Sequence, residues 1–270
     1  MQNSIKSILF QCPTCEKPFL LKDLNFCCPK CLRVAKYSPE LRRFDFQPFL
    51  NDFSTLQQER TSFAYSIYSL IYAPIALLNL IAVWHGSLGK QIRHYSESFQ
   101  KSHGPILDVA IGDGALTVLS LAKFAQKSRK PCHHPLLGLD ISLDMLSKAE
   151  KNLSKIKNFV SIRADARNLP FSSGSFNQVF CYGGFHSIPL PEKAMKEIFR
   201  VLEPNGRLRG SVLLTPNRPI SGALIRKYVE WGSLSTNFTR FQFLSLLKKA
   251  GFRLISTESN GSTLLFEAYA

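Results

Sequence analysis

Acidic residues are scarce in this sequence, which has 19 aspartates and glutamates against 34 lysines and arginines and a formal net charge of +15. Such a balance favours anionic partners, of which RNA, a membrane surface and an acidic substrate are the main classes. The sequence also lacks any run of five or more like charges. The positive charge is therefore spread along the chain and does not mark one binding surface.

The sequence has no basic, apolar and small-residue leader after Met1, no internal repeat and no low-complexity stretch. We therefore expect a cytoplasmic protein and not a secreted one. Seven cysteines in a non-secreted chain indicate reduced thiols or metal ligands and not a disulfide framework. The 270 residues, 45% of them apolar, suffice for one domain of ordinary size with an appendage.

A glycine-bearing turn follows a short apolar strand in the run Pro105-Ile-Leu-Asp-Val-Ala-Ile-Gly-Asp-Gly114. The run lacks the G-x-G-x-x-G pattern with which dinucleotide-binding strands hold a pyrophosphate. Its acid, Asp108, precedes Gly112 and Gly114, where the backbone can approach a ligand because no Cβ intervenes. The helical pattern that begins at Ala115 turns its unpaired N–H groups toward the same space. The run therefore predicts the floor of a nucleotide-type pocket.

Two further strands are followed by acidic residues. The apolar strand Leu136-Leu-Gly-Leu-Asp140 ends in an acid, and Ile141 leads to Ser142, which is typical of a helix N-cap. An acid at the tip of this strand can accept hydrogen bonds from both hydroxyls of a ribose. The run Phe159-Val-Ser-Ile-Arg-Ala-Asp165-Ala166 predicts the third strand, and Phe176 to Tyr182 the fourth.

The stretch Gly184 to Leu208 predicts a helix that is followed by a fifth strand. One apolar helix face is formed by Ala194, Ile198, Val201 and Leu202. Pro204-Asn-Gly206 is expected to end the helix. Together, the segments between residues 104 and 214 resemble the class I S-adenosylmethionine (SAM) methyltransferases, in particular those grouped around quinone-biosynthesis C-methylation.

This resemblance implies a doubly wound, mostly parallel seven-stranded α/β sheet in residues 101–270, with SAM as the cofactor. The last two strands, near 252–257 and 262–268, would close the sheet with one antiparallel strand. Ala110 stands where the family usually has its first glycine, a difference of one methyl group. In the family, the Asp-Ala pair at 165–166 contacts the adenine amino group. The implied cofactor-binding residues are Asp108, Ala110, Gly112, Gly114, Asp140, Ile141, Asp165, Ala166 and Tyr182.

Two C-x-x-C knuckles in residues 1–45 predict a metal site. Cys12 and Cys15 form the first knuckle and Cys28 and Cys31 the second, a spacing typical of a zinc ribbon with four thiolate ligands. Cys27 could replace Cys28, although the matched C-P-x-C pattern favours Cys28. A redox pair and an iron–sulfur cluster are the alternatives. We expect zinc in a structural role, because so few residues cannot bury a sufficient core alone.

Residues 46–100 contain an uncharged apolar segment, Phe63 to Trp84, that is long enough to span a bilayer. Pro74 near its middle, Asn79 and several serines argue against spanning. We expect two lid helices, broken at Pro74, that roof an acceptor pocket. An interfacial element that collects a lipophilic acceptor from an anionic membrane is the alternative. Tyr65, Tyr68 and Tyr72 lie near helical spacing and could line that pocket or simply pack.

The mechanism requires mainly that an acceptor be aligned with the activated methyl group and that water be excluded. A carbon or phenol acceptor also needs a proton removed, for which His186 is the candidate, although it could instead pack or cap the backbone. The Asn/Asp-Pro-Pro-aromatic run of amino-methylating families is absent and Cys181-Tyr-Gly-Gly184 stands in its place. Residues 215–239 form an insertion that is expected to help shape the acceptor site.

Two functions remain open. The first is methylation of a hydrophobic, quinone-like small molecule, which the core resemblance and the apolar segment favour. The second is methylation of ribosomal RNA, because a four-cysteine module on such a core is similar to bacterial guanine-N1 methyltransferases of the large ribosomal RNA. The ribbon has few aromatic residues, and they do not alternate with its lysines as base-stacking platforms would.

Overall fold

A computed structural model describes residues 10–22, 25–50, 85–215, 223, 227, 230 and 234–270. The apolar segment Phe63–Trp84, with its tyrosines, lies outside the described residues, as does most of the insertion. The strands are β1 Leu20–Lys22, β2 Asn25–Cys27, β3 Val34–Ser38, β4 Arg43–Asp45, β5 Ile106–Val109, β6 Leu136–Asp140, β7 Phe159–Arg163, β8 Phe176–Tyr182, β9 Leu202–Leu213, β10 Arg253–Asn260 and β11 Thr263–Tyr269. The helices are α1 Leu88–Ser98, α2 Ala115–Ser128, α3 Leu143–Asn152, α4 Pro191–Val201 and α5 Arg240–Ala250, with 3-10 turns at Gln47–Phe49 and Phe99–Lys101.

The strands form one sheet in the order β1-β2-β3-β4-β7-β6-β5-β8-β9-β11-β10. Strands β4 to β9 pair in parallel across the centre, and β11 runs antiparallel to both β9 and β10. Residues 101–270 contribute seven strands, β5 to β11, as expected, but the whole described sheet is larger, with eleven strands, and is mixed. The additional strands come from the cysteine-bearing part of the chain. The sequence did not indicate that β4 would pair with β7, since β4 is only three residues long.

Helices cover both faces of the sheet, as a parallel sheet with crossover helices requires. One buried cluster joins residues of α1, α2 and α3 to the sheet, and the larger cluster contains residues of α4 and α5. Ser142 caps α3 by accepting a hydrogen bond from Met145 N. The apolar face predicted for α4 is buried, but the helix ends at Val201, and Leu202 already begins β9.

The residues 10–22 and 25–50, which we call the N-terminal module, pack directly on the rest of the protein. Strand β4 pairs in parallel with β7, with Arg43 opposite Ser161 and Asp45 opposite Arg163. Phe10 forms a buried aromatic cluster with Phe26, Phe44, Phe46 and Phe171. Because these contacts include backbone pairing and buried rings, the module is an extension of the main sheet and its core.

The Arg42 side chain provides a further attachment of the module. Its guanidinium donates hydrogen bonds to the carbonyl oxygens of Ser154, Ile156 and Lys157, just after the C-terminus of α3. These carbonyls belong to the loop between α3 and β7, so Arg42 joins the module to that loop. Across the part of the chain that the structure describes, no helix is both long enough and apolar enough to cross a membrane.

Candidate active site

The predicted site residues lie where β5, β6, β7 and β8 end, at one edge of the parallel sheet. In doubly wound sheets, ligands bind outside this edge, where the loops after neighbouring strands converge. Two contacts show the convergence. The Asp140 carboxylate, after β6, accepts a hydrogen bond from Gly112 N, after β5, at 2.9 Å. A Cβ added to Gly184, after β8, would lie 2.7 Å from the Cβ of Ala110.

The turn after β5 has three residues in the left-handed region, with φ of +56° at Ala110, +60° at Gly112 and +72° at Gly114. A methyl group added to Gly112 would meet no atom of the described residues within 4 Å, so this backbone is open on the described side. A methyl group added to Gly114 would lie 3.1 to 3.3 Å from Leu153 and Ala149 of the α3 region. From the sequence, alanine in place of the family's glycine at position 110 was expected to add only a methyl group. Its positive φ also adds backbone strain of roughly 1–2 kcal/mol.

The Asp140 side chain is built into this turn. Its Oδ2 accepts from Gly112 N, and its Oδ1 accepts from Ser142 N at 2.9 Å. Burial raises the pKa of Asp140, while the backbone N–H groups of Ser142, Gly112 and Ile141 act in the opposite direction. Ile141, directly after it, is partly buried. The carboxylate therefore joins the β5 and β6 turns and still lies at the strand tip predicted for it.

Asp108 is 2% exposed and is bound by two hydroxyl groups that sequence reasoning missed. Its Oδ2 accepts hydrogen bonds from Tyr95 OH of α1 and from Thr117 Oγ1 of α2, the latter at 2.9 Å. Burial raises the pKa of Asp108 to about 7, although both hydrogen bonds oppose that change. Asp108 therefore ties two helices to β5. No sequence signal distinguished Tyr95 or Thr117 from other polar residues of their helices.

Tyr182, at the end of β8, is also held by α1. Its ring stacks on Tyr95 with the ring centroids 4.1 Å apart, and its hydroxyl shares a hydrogen bond with His94 Nδ1 at 2.8 Å. Burial, followed by the nearby Arg209 and Arg93, lowers the pKa of His94 to about 3, so this histidine is neutral. Burial raises the pKa of Tyr182. A neutral imidazole and a neutral phenol therefore fix this wall of the site.

Asp165 and Ala166 lie in the loop after β7 and are 7% and 8% exposed. Arg167, which sequence reasoning did not select, binds the Asp165 carboxylate through its side chain, with Nη2 2.6 Å from Oδ2 and Nε 2.9 Å from Oδ1. Both side chains of this ion pair are buried.

His186 lies in the loop after β8. Its Nδ1 is buried and has no hydrogen-bond partner among the residues that the structure describes. Burial lowers the pKa of His186 to about 4, so the ring is neutral at pH 7. The backbone carbonyl of His186 accepts from Ser235 N and Thr236 N at 2.8 and 3.1 Å. These bonds hold the histidine loop against the last residues of the insertion.

The four predicted metal ligands are together in the N-terminal module. The sulfur atoms of Cys12, Cys15, Cys28 and Cys31 all lie within 4.8 Å of one another. The Cys12 and Cys31 sulfurs are 3.7 Å apart, and thiolates at about 2.3 Å from a tetrahedral zinc ion would be separated by about 3.8 Å. The donor set therefore fits a four-thiolate metal site. Cys27 does not belong to this cluster.

Comparison with known proteins agrees with this geometry. A family model described as a methyltransferase domain matches residues 107–209. A demethylmenaquinone methyltransferase of Thermus thermophilus is 30% identical over 188 residues, which cover 66% of this chain and 81% of the relative. The chain belongs to the class I SAM-dependent methyltransferases.

Other similarities agree with this membership. A ubiquinone/menaquinone biosynthesis C-methyltransferase of Rickettsia felis is 28% identical to this methyltransferase over 236 residues, covering 76% of this chain and 91% of that one. Among solved structures, a Bacillus halodurans protein classed as a methyltransferase superposes with a TM-score of 0.53 at 19% identity, covering 68% of this chain and 98% of that one. At this identity the superposition supports the fold alone. The protein is thus an enzyme that uses SAM as methyl donor.

Proposed function

We propose that this enzyme methylates a carbon atom of a lipophilic, quinol-like small molecule. The observation that carries the proposal is the similarity to two quinone-biosynthesis methyltransferases over most of their length. The uncharged segment Phe63–Trp84 is compatible with an apolar acceptor. SAM supplies a methyl group that is already activated as a sulfonium, so the chain's own contribution is to bind, orient and remove a proton.

We assign the cofactor contacts to the residues predicted from the sequence. The open backbone at Gly112 admits a ligand to the N-terminus of α2, which leaves unpaired N–H groups there. Asp140 would accept hydrogen bonds from the ribose hydroxyls, and Asp165 from the adenine amino group. Ala110, Gly114, Ile141, Ala166 and Tyr182 would shape the walls, and Asp108 would act from behind the turn through its charge.

His186 is the proposed general base. A quinol carbon becomes nucleophilic when the ring hydroxyl loses its proton, and a neutral imidazole can accept that proton. His186 is neutral and its Nδ1 has no hydrogen-bond partner among the described residues, whereas the Nδ1 of His94 is already bound to Tyr182. The low pKa of His186 makes it a weak base before an acceptor binds. An anionic acceptor beside the ring would raise that pKa.

The remaining parts of the chain have proposed roles of their own. Residues 1–45 would hold one zinc ion through Cys12, Cys15, Cys28 and Cys31 as a folding element of the sheet. Within residues 46–100, the uncharged segment Phe63–Trp84 would form the lid over the acceptor, in peripheral contact with an anionic membrane, whereas α1 packs on the sheet. The catalytic domain would comprise residues 101–270.

The test compares acceptors directly. The purified enzyme is incubated with SAM and either demethylmenaquinol or ribosomal RNA fragments, and methylated products are identified by mass spectrometry. We expect C-methylation of the quinol and a loss of turnover in His186→Asn with unchanged SAM affinity. Binding to RNA and to anionic liposomes is measured across a salt series, because phosphate contacts give a steep fall of affinity with salt. Salt-steep RNA binding with RNA methylation and no turnover of quinols would establish the RNA methyltransferase instead.

The apolar segment provides a second arm of the test. Leu78→Gln, in a protein that remains folded, should reduce acceptor turnover more than SAM affinity if the segment contacts the acceptor. Equal effects on both, or none on either, would contradict a lid role for this segment.

A further inference from the structure

The buried Asp165–Arg167 ion pair has a geometry that fixes the orientation of the carboxylate. Asp165 Oδ1 accepts from both the backbone N–H and the Nε of Arg167 at 2.9 Å, and Oδ2 accepts from Nη2 at 2.6 Å. The side chains are 8% and 6% exposed. A two-point guanidinium contact holds both the position and the plane of a carboxylate, which a single lysine nitrogen cannot do.

The loop that carries this pair is held from outside as well. Two side chains of α4 bind the loop backbone. The Glu197 carboxylate accepts a hydrogen bond from Leu169 N at 2.8 Å. The Arg200 guanidinium donates hydrogen bonds to the carbonyl oxygens of Leu169 and Phe171 at 3.1 and 2.7 Å. From the N-terminal module, Gln11 N donates to Pro170 O at 3.2 Å. The backbone of the loop is thereby fixed without Arg167, so the arginine is not needed to hold the loop in place. The described bonds of its guanidinium go to both oxygens of the Asp165 side chain.

We propose that Arg167 is a positioning residue that holds Asp165 as an oriented acceptor at the purine edge, and that this makes the site selective for a 6-amino over a 6-oxo purine. The inference rests on the proposed placement of adenine at Asp165. An ionised carboxylate accepts hydrogen bonds and donates none, so it favours the N–H of adenine and repels the carbonyl oxygen of hypoxanthine. Without Arg167, the carboxylate loses this two-point contact, its fixed plane and a positive charge that favours its ionised form. A protonated carboxyl can donate to the 6-oxo group, so the selectivity falls.

The experiment measures binding of S-adenosylhomocysteine and S-inosylhomocysteine by calorimetry, which needs no acceptor. The ratio of the two dissociation constants is the readout. The wild-type protein should prefer the adenosyl compound by about 10- to 100-fold, as the loss of a hydrogen bond to a charged group implies. In Arg167→Met the ratio should fall at least about fivefold, mainly through weaker adenosyl binding, and Arg167→Lys should recover only part of it. Arg129→Met, the same change at an exposed arginine after α2, should leave the ratio unchanged.

The outcomes separate this inference from the proposed placement of adenine. Asp165→Asn should abolish the preference, because an amide can donate as well as accept. If the wild type binds the adenosyl compound and Asp165→Asn keeps the full preference, adenine does not lie at Asp165 and the placement fails. If Asp165→Asn loses the preference while Arg167→Met weakens both ligands equally, Arg167 is merely structural and the inference is overturned. Tighter adenosyl binding in Arg167→Met would also overturn it, since the arginine would then compete with the purine.

Discussion

Ala110 and Gly184 are complementary across the site. Ala110 carries a methyl group in a left-handed turn where its family usually has glycine, and Gly184 has no side chain at the place that this methyl group approaches. A Cβ on Gly184 would lie 2.7 Å from both the Ala110 Cβ and the Cys181 Sγ. The turn after β5 and the turn after β8 are therefore matched to each other, and neither residue can be interpreted alone.

We expect Gly184→Ala to lower the free energy of unfolding by about 1–3 kcal/mol, because the added methyl group has no room. Ala110→Gly alone should be nearly neutral, since relief of the strain at φ +56° is offset by the greater freedom of glycine in the unfolded chain. The double variant should recover part of the loss, but not all of it, because the Cys181 contact remains. Urea unfolding of the four proteins gives the coupling. Strict additivity would show that the two residues do not meet.

Asp108→Asn should stabilise the protein at pH 8. The pKa of Asp108 is about 7 in the folded protein against an ordinary 3.8, so the folded state binds the proton more tightly. The protonated Asp108 contributes stability that is fully present below about pH 4 and is lost as the pH rises through 7. The gain at pH 8 should be about 1–4 kcal/mol and should vanish near pH 4. The check is denaturant unfolding of both proteins from pH 4 to 8, and parallel curves would contradict the assignment.

Asp140→Ala should weaken SAM binding strongly, because each hydrogen bond to a charged acceptor contributes about 1.5–3 kcal/mol. Since Asp140 also accepts hydrogen bonds from Gly112 N and Ser142 N, the variant should lose some thermal stability as well. Asp144→Ala, which removes an exposed acid from the first turn of α3, serves as the control. Calorimetric titration of SAM decides the matter. Unchanged affinity in a folded Asp140→Ala protein would remove Asp140 from the cofactor site.

Removal of the proposed metal should weaken SAM binding from a distance. Protein purified without added metal should contain one zinc per chain, and Cys15→Ser with Cys31→Ser should contain none. We expect several-fold weaker SAM binding in that variant, because Phe10 and Gln11 hold the loop of Asp165 from the module. Cys132→Ser changes a thiol outside the cluster and should alter neither the zinc content nor the SAM affinity. Elemental analysis that finds iron, or a metal content unchanged by the double substitution, would refute the zinc site.

The central strands were predictable because their residues carry a local signal. Leu136–Asp140 is apolar up to its final acid and Phe176–Tyr182 is mostly apolar and aromatic, and the structure gives both the predicted bounds. The cap at Ser142 was equally local. The pairing of β4 with β7 was not predictable, because it joins residues more than a hundred positions apart and consists of only three residue pairs. The partners of Asp108 and Asp165 were missed for a related reason, since Tyr95 and Arg167 are identified only by where their side chains point.

The pairing of β4 with β7 also sets an order of events during synthesis. Asp45 and Arg163, which pair across it, are 118 positions apart. An N-terminal module that binds its metal can close when the first fifty or so residues have left the ribosome, yet its β4 edge and the rings around Phe10 must wait for β7 and Phe171. Throughout that interval the growing chain exposes an unpaired strand edge and apolar rings. The module is therefore the part of the nascent protein most exposed to wrong partners, and slow translation before residue 171 would prolong that exposure.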